Sequence, residues 1–186
     1  MGILLGFAPF IVFALLTSVS VSLGLWLAFA AAFVITIRDF VESPTLRLLD
    51  AGSVALFGLL ALFTGFIEPS LTLPSVHLMV DAGFLGMALV SLGLRRPLTL
   101  DYGHEHLPKE IWNTPAVRRS HYILTGAWAA AFAVMTAADL AGTWFSKLPI
   151  SLDIAAGYAA LGLAIVFTVR YPARLHTKSG DTVHQP

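Results

Sequence analysis

The chain has 186 residues, 57% of them hydrophobic and 12% charged, with a formal net charge of zero and a mean hydropathy of +0.81. A soluble domain carries about a quarter charged residues, so this composition points to helices buried in lipid and in one another. Zero net charge argues against a nucleic-acid partner, and the lack of cysteine excludes disulfides, thiolate catalysis and cysteine-held metal clusters.

A membrane-crossing helix needs about 20 apolar residues. The first apolar stretch, 3–37, is too long for one comfortable span, and the polar patch Thr17-Ser18-Val19-Ser20-Val21-Ser22 divides it. It reads as a short first helix near 3–18, kinked at Pro9, and a second near 21–38; one long tilted helix is the alternative. With no basic residue ahead of the apolar run, the start reads as a mature helix rather than a removed signal peptide. A third span is predicted over 49–67, stopped by Glu68-Pro69-Ser70, and a fourth over 76–94, closed by Arg95-Arg96-Pro97. The polar stretch 97–114 contains a short amphipathic piece, 108–113, whose Trp112 suits the headgroup level, as does Tyr102. Thr114-Pro115 starts a fifth helix over 117–143, and a sixth runs over 149–171. Residues 1–171 thus form one domain with a loop at 95–118, and 172–186 read as a flexible tail.

The predicted fold is all-α: a polytopic transmembrane helix bundle of six spans, or five if 3–37 is a single helix. Ten of the eleven basic residues, all but Lys147, fall in or beside gaps that share one membrane face. Lys and Arg near spans stay cytoplasmic, so that face is the inner one and carries both termini of a six-span chain in a bacterial inner membrane. Arg95, Arg96, Arg118 and Arg119 bracket the longest loop and, with Trp112, are candidates for lipid headgroup contact. The membrane glycines and alanine runs are ordinary helix-packing material.

Two groups could carry chemistry. His77 and Asp81 are four apart and share a helix face, and Asp139 and Asp153 map to the same outer third of the spans. Ionisable groups inside spans are costly and usually face the bundle or water, so His77, Asp81, Asp139 and Asp153 form a candidate proton or cation site; interfacial caps wetted by solvent are the plain alternative. The second group is His104 and His106 with His121, a weak metal candidate, because no two of them share the four-residue helical spacing and no His-Glu-x-x-His is present. No nucleotide loop, nucleophile elbow or facing histidine pair for haem occurs, so no cofactor and no enzymatic activity is expected.

Phe7-Ala8-Pro9-Phe10-Ile11-Val12-Phe13 followed by Gly24-Leu25-Trp26-Leu27-Ala28 resembles the start of the intracellular septation protein A family. Phe57-Gly58-Leu59-Leu60-Ala61-Leu62, the closing Arg95-Arg96-Pro97, and Pro108-Lys109-Glu110-Ile111-Trp112 leading through Arg118 to Thr125-Gly126-Ala127-Trp128 resemble later parts, so the likeness covers about residues 5–145. It implies a small inner-membrane protein of envelope synthesis and septation, and brings no catalytic residues; His104-Glu105-His106 departs from the pattern. The expected role is therefore non-enzymatic, exerted through lipids and membrane-protein partners, a second copy of the chain among them. A small transporter or channel using the outer acidic and histidine cluster is the alternative.

Overall fold

The computed structural model describes residues 2–42, 47–103, 114–144 and 150–180, and every regular element among them is helical. Helix α1 (Gly2–Gly6) and α2 (Ala8–Leu16) are separated at Phe7, and Pro9 sits in the first turn of α2, where its missing N–H is not needed. Helix α3 spans Val21–Glu42. Helix α4 (Leu48–Leu62) widens into a π-helical turn at Phe63–Ile67, where the Thr64 hydroxyl donates to the Leu60 carbonyl at 2.9 Å. Helix α5 covers Leu73–Gly93, α6 is the single turn Leu100–Gly103, α7 covers Pro115–Trp144 and α8 covers Ile150–Gly180.

Four helical segments among the described residues are long and apolar enough to cross a membrane: Val21–Glu42, Leu48–Ile67, Leu73–Gly93 and Pro115–Gly142. The short, kinked first helix expected near 3–18 is the broken pair α1–α2, and the described apolar part of α8 is Ala155–Tyr171, just short of the spanning length. Helical backbone also continues to Gly180, beyond the end expected near 171, because no helix-ending glycine intervenes and Pro172 does not stop it. Leu59, Phe66, Val34 and Leu163, each more than 60% exposed, show the apolar outer surface that lipid would cover.

The short N-terminal pair is the core. Phe7, Phe10 and Phe13 recur every three residues, fall on one face of the helix, and are at most 1% exposed. Phe7 stacks on Trp128 at 3.7 Å between ring centroids, Phe10 meets Phe84 and Phe132 edge-on at 5.2 Å, and Phe13 lies 5.7 Å from Phe57. One helix thus joins α4, α5 and α7 through rings. The Trp128 indole N–H donates to the Thr168 hydroxyl at 3.0 Å, which ties α8 to the same core.

Close approaches support this packing. A side chain at Gly24 would meet Thr17, at Gly58 the Phe29 ring and at Gly83 the Leu56 side chain, whereas Gly65, Gly86, Gly93, Gly126, Gly157 and Gly162 face open space. At the end of α5 the Arg96 N–H donates to the Ser91 carbonyl and the Arg95 N–H to Leu92, with Arg95 at φ 57°. This is the double hydrogen bond of a Schellman cap, with arginine where glycine is usual.

The contacts give the bundle two unlike ends. Gly6, Asp39, Arg47, Asp50 and Tyr102 meet at one, beside Thr99 and His121, with the exposed Arg95, Arg96, Arg118 and Arg119 close in sequence. Thr17, His77, Asp81, Asp139 and Tyr158 surround a cavity at the other.

Candidate functional site

The cavity has a volume of about 220 Å³ and is built from four helices. Helix α2 contributes Phe10, Phe13 and Ala14, and its C-terminal turn adds Thr17 and Ser18. Helix α5 contributes Leu73, His77 and Asp81, α7 contributes Met135 and Asp139, and α8 contributes Gly157, Tyr158 and Leu161. The four-residue step from His77 to Asp81 and the similar step from Met135 to Asp139 each place two side chains on one helix face, and those faces meet.

Asp81 and Asp139 are 4% and 5% exposed, so both carboxyl groups lie inside the protein rather than at its wetted rim. His77 is half-buried; its Nε2 lies 3.0 Å from the Thr17 hydroxyl, and its ring stands 5.3 Å from that of Phe13. Thr17 is 4% exposed and ends α2, so this contact fixes the end of the central helix against α5. The Tyr158 hydroxyl donates to the Ala14 carbonyl at 3.4 Å, bringing α8 across the cavity rim.

Of the four residues expected to form an ion site, the structure brings His77, Asp81 and Asp139 to one cavity. Asp153 lies on α8 one turn before Gly157, and its side chain falls outside the described residues. Glu68 is exposed and accepts from the Ser70 hydroxyl.

The histidine loop gives a different result. His104, His106 and Trp112 lie outside the described residues. His121 is 6% exposed, with Nδ1 3.1 Å from the Thr99 hydroxyl, and Thr99 also donates to the His121 carbonyl and lies 3.1 Å from Thr125. It therefore ties the loop after α5 to α7. Among the described residues, no three of His, Cys, Asp and Glu are grouped to hold a metal ion.

A second polar cluster, not foreseen from the sequence, occupies the basic end. Arg47 donates to Asp39 at 2.5 Å and lies 3.9 Å from Asp50; Arg38 donates to the other Asp39 oxygen, and the Tyr102 hydroxyl donates to Asp50. Asp39, Arg47, Asp50 and Tyr102 are all at most 6% exposed, and the Arg47 guanidinium sits over the Tyr102 ring at 4.7 Å. Tyr102 is thus a core residue rather than a headgroup anchor: its ring fits against Gly6, where a methyl group would collide with the phenol. Burial first, and then the Asp50 carboxylate, hold the Tyr102 phenol well above its usual range. The three-residue step from Arg47 to Asp50 was the available signal.

Comparison of the chain with protein-family models, with curated proteins and with solved structures finds no match.

Proposed function

We propose that this is a small polytopic membrane protein that binds protons or small cations in the His77–Asp81–Asp139 cavity and carries them across the bilayer. The observation that carries the reading is the convergence of two buried carboxylates from separate helices on one cavity, whose lining includes no Lys or Arg. A charge inside a membrane protein is expensive and is kept where it is used. The far end supports the reading, because Tyr102, Arg47 and Asp50 pack closed there while the cavity reaches the exposed Ser18 and Tyr158.

Six crossing segments fit this role. The α1–α2 pair, about 22 Å long at 1.5 Å per residue, is short for a bilayer core of about 30 Å but is wrapped by other helices. Helix α8 would be the sixth. Successive segments alternate between the two ends, from Gly6 to Thr17, back to Asp39, and so on to Tyr158 and Thr168. An even number puts both chain ends at the arginine-rich end, which the positive-inside rule makes cytoplasmic in a bacterial inner membrane.

The test is uptake. Proteoliposomes bearing a pH gradient, with an internal pH dye, should dissipate it faster than empty vesicles, and Asp81→Asn and Asp139→Asn should abolish the difference. Wild-type protein that moves no protons or cations would end this reading.

A role through partners in envelope organisation or septation is the second reading. Only 22% of the spanning window of α3 is buried, so a wide apolar face is open to a protein neighbour as well as to lipid. Crosslinking from a cysteine at Val34 in native membranes should trap a discrete partner if this reading holds, and only lipid or monomer if it does not.

A further inference from the structure

The lining of the cavity also constrains the chemistry of its cargo. We infer that its ligand is a small organic monocation, a protonated amine carried on a flat apolar group; this rests on the transport reading above and narrows it.

An inorganic cation fits the walls poorly. Sodium or a divalent ion is held by a shell of oxygens, and hard cations of this kind take about six or more. Here the oxygen-bearing groups are few: two carboxylates, the hydroxyls of Thr17 and Ser18, and the Tyr158 phenol. No grouping of three His, Cys, Asp or Glu suited to a metal occurs among the described residues.

The rest of the wall is apolar. Phe10, Phe13, Leu73, Met135 and Leu161 give an inorganic ion nothing, but they would bury a hydrocarbon body. Aromatic faces attract an alkylammonium group, and the Met135 thioether suits a ring edge. Size agrees: an apolar cavity of about 150 Å³ accepts benzene, and this one, at about 220 Å³, leaves room for a ring plus an aminomethyl group. The two carboxylates belong to α5 and α7, whereas most of the apolar lining belongs to α2 and α8, which suits a ligand charged on one side only.

Gly157 offers a way to test the body of the ligand apart from its charge. It lines the cavity, and a side chain added there would meet nothing within 4 Å. Gly157→Leu adds an isobutyl group to this wall without altering either carboxylate residue.

The probe is benzylammonium, titrated calorimetrically into the full-length protein in detergent and followed in parallel by thermal unfolding. Saturable binding with a rise in Tm is expected, with no comparable effect from the neutral benzyl alcohol or from sodium chloride at the same concentration. Asp81→Asn and Asp139→Asn should each weaken binding by at least about tenfold, as expected for loss of a desolvated charge partner. Gly157→Leu should weaken benzylammonium binding by at least about tenfold while leaving the Tm of the ligand-free protein unchanged, since a side chain there meets no neighbour. Equal responses to benzyl alcohol or sodium, or unweakened binding in the Gly157 variant, would overturn the inference. Proton flux without benzylammonium binding would overturn it while leaving the transport reading standing; absence of both would remove the two together.

Discussion

At the scale of single residues, the buried charges at the two ends ask different things of their neighbours. Arg47 is held on three sides, by Asp39, by Asp50 and by the face of Tyr102, so the cluster is internally compensated. Removing one member leaves charge buried without its complement, which costs about 3–5 kcal/mol. Arg47→Ala should therefore lower the unfolding midpoint in detergent far more than Arg119→Ala, whose side chain is exposed. Tyr102 adds a spectroscopic check. Because its phenol is held above the usual range, it stays protonated where an unfolded tyrosine, near 10.0, begins to ionise. The sign follows: its contribution to stability is complete below that value and is lost as pH rises above it. The phenolate absorbance gained up to about pH 11 should be equal in wild type and Tyr102→Phe, and a smaller gain in the variant would contradict the assignment. None of this cluster was visible as a cluster in the sequence, since Tyr102 and Asp50 stand 52 positions apart. His77 and Asp81 were legible because four residues along a helix is one turn, a spacing that needs no tertiary knowledge.

At the scale of elements, apolar length located the ends of α3, α5 and α7 to within about four residues, as expected when hydrophobic thickness sets the helix. The same measure did not reveal the role of the first segment in the core. Apolar content reports that a helix avoids water but does not say whether lipid or protein surrounds it. The distinguishing sign was the three-residue recurrence of Phe7, Phe10 and Phe13, which forms a ring-bearing stripe rather than a uniformly greasy cylinder. Phe10→Ala should consequently cost about 3–5 kcal/mol, the usual range for a fully buried phenylalanine. Leu15→Ala, on the 61% exposed side of the same helix, should cost well under half of that; equal losses at the two positions would deny α2 its central place.

For the whole molecule, the asymmetry of the ends is a prediction about orientation. Exposed arginines gather at one end and the carboxylate-lined cavity lies at the other. A cysteine at the exposed Ser70, between the π-helical turn and α5, should react with an impermeant maleimide added to intact cells. One at Arg96 should react only after the membrane is opened. The reverse pattern would invert the proposed topology and turn the cavity toward the cytoplasm.

The stacking of Phe7 on Trp128 also sets a timetable for synthesis. Phe7 leaves the ribosome well before its stacking partner Trp128, which is encoded more than a hundred residues later. At roughly 5–20 residues per second, it waits on the order of ten seconds before α7 exists. During that interval a short, kinked helix must stay in the bilayer or at the insertion machinery with the Phe7 end of its aromatic stripe uncovered. Its final position is reached only when α7 and α8 have arrived and closed around it.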